Sequence, residues 1–193
     1  MKALLLCGGL VALTVTGCGD SRGPYGSTGE QRRDIVKAEH LYQKAVAEIA
    51  DRDLVEAEAL LRETLTYDLY HGPAHNNLGV ILLGQAKLYD AAEEFEWARK
   101  LLPGNPEPRS NLAIALERGG RHSDALEAAQ SALDVRPGHL GAIKTVAWIT
   151  INEGHGDQTT ISHLDAIVAR AEQPEWRDWA FAHRLRLAEK LAP

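Results

Sequence analysis

Apolar residues recur along this chain at three- and four-residue spacings, the pattern of helices laid against a core. In "NNLGVILLGQ", residues 76–85, Leu78, Ile81, Leu82 and Gln85 share one helical face, enough for packing on a neighbour. Val80 and Leu83 are apolar as well and project elsewhere, while Gly79 and Gly84 interrupt a segment that should prefer alanine. The pattern returns at a fixed interval: windows 38–71, 72–105, 106–139 and 140–173 align without gaps. Their eighth place holds Ala45, Gly79, Ala113 and Ala147, and their twentieth Ala57, Ala91, Ala125 and Thr159. The twenty-seventh holds Thr64, Ala98, Ala132 and Ala166, and Pro103 and Pro137 stand where helices of the second and third windows must end.

Small residues at the eighth and twentieth places suit a close helix crossing. The repeat family that this thirty-four-residue unit resembles sets those places face to face on two antiparallel helices, which implies that Gly79 is small because Ala91 is near. In the fourth window the second helix is expected to rotate by one residue, since Ile161, Leu164, Val168 and Ala171 form its apolar line. The tail "PEWRDWAFAHRLRLAEKLAP", residues 174–193, reads as a capping helix opened by Pro174, with Trp176, Trp179, Ala180 and His183 at the spacing of a first helix. At the other end Ser27 and Glu30 suggest a capping box, from which the first helix runs through Ile35, Ala38, Leu41 and Ala45.

This thirty-four-residue unit resembles the tetratricopeptide repeat. The second window carries the likeness best, with Leu78, Gly79, Leu82, Ala91, Phe95, Ala98 and Pro103 at motif places. The third follows with Leu112, Ala113, Leu116, Gly120, Ala125, Ala132 and Pro137. The first departs at Lys44 and Glu48, and the fourth at Thr159 and His163. The resemblance implies an all-α, right-handed superhelix of four helical hairpins over residues 30–173, closed by the helix of residues 174–193.

It also implies that the first helix of each hairpin lines a concave groove. The ninth place there holds Val46, Val80, Ile114 and Trp148, and the twelfth holds Ile49, Leu83, Glu117 and Ile151. Exposed apolar rows of this kind mark interaction surfaces. The fifth and sixth places add Tyr42, Gln43, Asn76, Asn77, Ser110, Asn111, Lys144 and Thr145, whose amides can bond both groups of a peptide backbone. An extended peptide or a partner helix fits such a groove. Relatives that clamp a carboxyl terminus use paired lysines, an arginine and asparagines; here only Asn77 fits, with Tyr42, Val46, Glu107 and Asn111 at the other clamp places.

The first seventeen residues change where the repeats are expected to work. Lys2 precedes the apolar run "ALLLCGGLVALTV", a leader too short for a comfortable membrane span. It ends in "VTGC", which resembles the bacterial lipoprotein signal. Carried over, Val15, Thr16 and Gly17 are recognition residues, 1–17 is removed, and Cys18 becomes the lipid-bearing first residue. Cys7 leaves with the leader, so no thiol remains for a disulfide or a metal. Residues 18–29, rich in glycine and serine, read as a tether with a reach of roughly 15–20 Å. Gly19 rather than an aspartate follows the cysteine, which points to the outer membrane of a two-membrane cell.

Composition removes several other functions. Apolar residues make up 45% and charged ones 25%, so a packed core is expected. The net charge of −6, with no basic face recurring along the chain, argues against nucleic acid. His71 and His75 lie four apart, but Gly72 and Pro73 are expected to break the helix that would align them on a metal. His155 and His163 have equally poor ligand spacing, and "NEGHGDQ" lacks the lysine and strand of a phosphate loop. The acidic run "DAAEEFE" is expected on a solvated helix side, and no nucleophile motif occurs.

The expectation is a lipid-anchored, non-enzymatic scaffold with no cofactor, which holds a protein or peptide partner near the bacterial envelope. It looks similar to repeat lipoproteins of pilus, secretion or outer-membrane assembly. Self-association through the apolar rows and service to a cell-wall or sugar-processing enzyme are the alternatives.

Overall fold

A computed structural model describes residues 33–192. The leader, Cys18, the tether and the Ser27–Glu30 capping box lie outside the described residues. Within them the chain is helical throughout, and no helix is long and apolar enough to cross a membrane.

Each window holds one hairpin. α1 (Ile35–Asp51) pairs with α2 (Leu54–Tyr67), α3 (Gly72–Gly84) with α4 (Leu88–Leu101), and α5 (Glu107–Arg118) with α6 (His122–Val135). α7 (Leu140–Asn152) pairs with α8 (Gln158–Arg170), and α9 (Pro174–Lys190) packs on α8. α1 starts later than expected, because Asp34 supplies its cap: the carboxylate accepts from the Lys37 backbone N–H at 3.0 Å. Asp53 and Asp157 do the same for α2 and α8. Pro73, Pro108 and Pro174 sit in first turns, where a missing N–H costs nothing.

Every hairpin turn contains one residue in the left-handed region: Arg52 (φ 66°), Ala86 (φ 60°), Gly120 (φ 74°) and Gly154 (φ 76°). All four stand at the fifteenth place of their windows. The turn is the same device each time, and only the later two use the residue without a Cβ penalty.

Alanines at the repeated places disappear into the core: Ala45, Ala57, Ala91, Ala113, Ala125 and Ala147 are fully buried. Gly79 is buried too, but the residue that enforces its size is not Ala91. A Cβ on Gly79 would lie 2.6 Å from the ring of Phe95, a fully buried side chain one turn further along α4. The tight approach is between backbone and ring, rather than between two small residues.

The fourth hairpin breaks phase. Its turn, residues 153–157, is longer than the corresponding 85–87 and 119–121, and α8 begins later in its window than α4 or α6. Thr160 and Ile167 are buried, one residue beyond the twentieth and twenty-seventh places. Ile161, Leu164 and Ala171 are buried with them, whereas Val168 reaches the core only in part. α9 closes the stack with Ala180 and Leu187, and Arg184 pairs with Asp165 of α8. Phe181 occupies the eighth place counted from Pro174 and is exposed.

Candidate functional site

The first helices α3, α5 and α7 pack side by side. Along them the ninth-place residues stand clear of the core: Val46 is 38% exposed, Val80 46% and Trp148 36%, with Ile114 half-buried between them. Ile49, Leu83, Glu117 and Ile151 at the twelfth place are all half-buried. The row is therefore partly sunk and partly open, as a groove floor would be.

The amides beside this row are bonded across the helices. Asn77 Nδ2 donates to the Tyr42 hydroxyl at 3.3 Å, and Asn111 Nδ2 donates to Asn76 Oδ1 at 3.1 Å. These bonds tie α1 to α3 and α3 to α5. Burial raises the Tyr42 pKa, which keeps the phenol protonated. An Asn side chain offers two donor hydrogens and two acceptor lone pairs, so each residue of the ladder keeps capacity for a further bond.

At the far end α9 contributes to the groove. Trp148 meets Trp179 at 5.4 Å and Trp176 at 6.1 Å between ring centres, the second pair edge to face. The Trp148 indole N–H donates to Glu117 Oε1 at 2.9 Å. Lys144 lies 5.2 Å from the Trp176 ring centre and donates to Gln173 Oε1 at 3.0 Å. Burial lowers the Lys144 pKa, with Glu172 acting the other way. Together Ile114, Glu117, Arg118, Lys144, Trp148 and Trp176 border an open hollow of about 390 Å³, with Gly141 and Thr145 at its wall. The tail thus lines the end of the groove and leaves Trp148 accessible. Glu117 stands here as its twelfth-place position predicts, whereas Trp176, read from the sequence only as part of the capping helix, joins the hollow through the packing of α9.

Two Glu–His contacts flank the groove. His71 Nδ1 accepts from the Ala74 backbone N–H at 3.1 Å and so caps α3, which leaves Nε2–H to donate to Glu39 at 3.1 Å. Hydrogen bonds from Gln43 and His71 hold the Glu39 pKa below the usual carboxylate range. The Tyr42 ring lies 4.6 Å from that of His71. His139 repeats the position but caps nothing: Nδ1 stands 3.8 Å from Glu107, and its buried Nε2 has no hydrogen-bond partner. Burial lowers the His139 pKa, against the pull of Glu107.

Two expectations about charged residues need correction. Gly72 and Pro73 do not break a helix between His71 and His75; they open α3, so His71 is its cap and His75 lies inside it. His75 is fully buried, with Nδ1 2.6 Å from Glu94 and Nε2 2.8 Å from the Leu69 carbonyl. Glu94, in the acidic run expected on the solvated side, is therefore buried as well, because a histidine across the hairpin receives it. Among the described residues no group of three potential ligands gathers for a metal. A larger hollow, about 550 Å³, lies between α4 and α6 over α5. Arg99 pairs there with Glu96 and Arg121 with Asp124, and Lys100 and Arg109 balance Glu93 and Glu127, so the lining favours neither sign.

The fold is that of tetratricopeptide-type hairpins wound into a superhelix. No family model matches the chain, and no curated protein does. Solved structures do. The first tetratricopeptide domain of Spaghetti (RPAP3), solved with the HSP90 peptide SRMEEVD, superposes with a TM-score of 0.60 at 17% identity, over 63% of this chain and 97% of that one. MamA gives 0.59 at 16% identity over 81% and 83%, and the Arabidopsis OM64 repeat domain 0.57 at 16% identity over 60% and 95%.

Proposed function

We propose that this chain is a membrane-anchored, non-enzymatic scaffold, held by a lipid on Cys18, that takes a polypeptide partner into the groove of its first helices. The observation that carries the reading is Trp148: a large aromatic side chain on the groove row, still 36% exposed after packing against α9, at the edge of a hollow. A ring so placed buries apolar area on contact and gives binding energy to a partner. The repeat domain of RPAP3 holds a peptide, which supports a peptide-binding use of the fold. The lysine-rich clamp for a terminal carboxylate is not reproduced, since Tyr42, Val46 and Glu107 stand at its places. The leader and the tether support a place in the envelope of a bacterium.

Crosslinking in intact cells from a photoreactive residue at position 83, with and without Trp148→Ala, tests this. The expected result is a discrete adduct that weakens about tenfold or more in the variant. An adduct pattern unchanged by Trp148→Ala removes the groove from the mechanism.

Self-association is the second reading, supported by exposed Phe181 and Leu185 on α9 and exposed Ile35, Val36, Leu54 and Val55 on the first hairpin. Sedimentation across a range of concentrations separates it from capture of another chain.

A further inference from the structure

Resting on the self-association reading, we infer that two copies of this chain pair through the outer face of α9, parallel and in register about a two-fold axis. Trp176, Ala180 and Leu187 hold α9 against the stack, whereas Phe181 is 53% exposed and Leu185 49%. Asp178 and Ala188 are exposed on either side of them. Spacings of three, four and three residues place Asp178, Phe181, Leu185 and Ala188 on one stripe of the helix, turned away from Ala180 and Leu187. These are the a and d places of a short two-stranded coil.

Charge selects a second copy as the occupant and fixes its direction. One flank of the stripe carries Arg177 and Arg184, and the other carries Glu175, Ala182 and Glu189. In a parallel pair each flanking residue faces the opposite flank of the partner, five places on. Arg184 therefore meets Glu189 of the second copy, and the two-fold axis makes that contact twice. The Arg184 Nε bonds Asp165 within the chain, which leaves the terminal nitrogens as donors for a second carboxylate. Asp178 stands opposite its own copy at one end of the stripe, where Arg177 of the partner borders it and offsets the like charge. The reversed pairing is penalised on both flanks, since it sets Arg184 against Arg184 and Glu175 against Glu189. An anionic lipid surface suits the arginine flank and is repelled by the glutamate flank.

A stripe of this length covers less than the roughly 800 Å² a side of a tight complex, so the pair belongs at micromolar concentration. It leaves the groove open, because Trp176 and the hollow beside Trp148 lie on the inward side of α9. Pairing and capture therefore do not compete for the same residues.

The test is disulfide trapping of the full chain in cells, with the natural chain, which has Cys7 and Cys18, as the background. A parallel register brings each stripe residue to its own copy. Asp178→Cys and Ala188→Cys are therefore each expected to raise the trapped dimer about tenfold, and Arg186→Cys, off the stripe, to leave it at background. Adding Glu189→Lys to A188C should cut trapping about tenfold, and Arg184→Glu on top of it should restore the yield. Sedimentation of the full chain in detergent supplies the second measurement. Phe181→Asp is expected to leave only monomer, and Phe181 is exposed, so the melting curve should stay in place; Leu185→Asp serves if it does not. A natural chain that remains monomeric up to about 100 µM overturns the pairing together with the self-association reading. A dimer that survives F181D, or that is trapped only between D178C and A188C chains, leaves self-association standing and overturns the parallel α9 pair.

Discussion

Residues 38–105 and 106–173 build the same pair of hairpins twice, and their differences show what a fixed spacing leaves open. Both halves put a glutamate and a histidine at matching places, Glu39 with His71 and Glu107 with His139. In the first half the Tyr42 ring lies against the histidine, which caps α3 and bonds the carboxylate. In the second, Ser110 replaces Tyr42 and Gly141 replaces Pro73. The helices close up, so that a Cβ on Gly141 would stand 2.6 Å from Ser110 Oγ and 3.1 Å from His139 Nε2. Identical partners at identical intervals thus end in different rings, because neighbouring side-chain volume decides which nitrogen meets which group. The turns differ in the opposite sense, since the second half has glycine at its two left-handed positions and the first has Arg52 and Ala86.

The largest expected effect comes from making the first half resemble the second. Tyr42→Ser removes the ring from His71 and the acceptor from Asn77, and should lower unfolding free energy by about 2 kcal/mol in urea titrations. A loss under about 0.5 kcal/mol would mean that Tyr42 does not distinguish the halves.

Exchanging the turn chemistry should act less. Gly120→Ala puts a Cβ on a residue at φ 74° and should cost about 1 kcal/mol. Ala86→Gly should gain about 0.5 kcal/mol, the relief at positive φ exceeding the extra entropy of an unfolded glycine. Thermal melts read both, and the same sign for the two changes would refute a shared turn.

The smallest effect is a dependence on pH. Burial depresses the His139 pKa in the folded chain below its ordinary 6.5, so the unfolded chain takes up the proton first as acid is added. The contribution of neutral His139 is present above about pH 6.5 and is lost as pH falls through the folded value. Relative to His139→Gln, the natural chain should therefore lose stability between about pH 8 and pH 5 in denaturant titrations. A relative gain would mean that Glu107, rather than burial, governs the ring.

The helical period made much of the fold legible. Alanines at fixed places announced close helix crossings, and the one-residue rotation of the fourth hairpin could be read from Ile161, Leu164 and Ala171. The exposure of Val46, Val80 and Trp148 was legible in the same way, because residues one place beyond a buried eighth position must project to the side of the helix. Contacts between distant helices were not. Trp148 beside Trp176 depends on how α9 settles on α8, which no local pattern encodes. Glu94 looked solvated because its neighbours Asp90 and Glu93 are, and only the position of His75 on another helix draws it inside. His71 was misjudged for a related reason: Gly72 and Pro73 punctuate a chain whether a helix is ending or beginning.

Phe181 has a consequence for growth of the array. Counted from Pro174, it holds the place that in every earlier hairpin is alanine or glycine, so a returning helix would need a glycine against its ring, as Gly79 lies against Phe95. Hairpins of this design can be spliced in ahead of residue 174, each bringing its own snug seam. Behind it, a hairpin would have to carry glycine where the earlier ones carry alanine, so one bulky residue sets the terms on which such a protein can be lengthened.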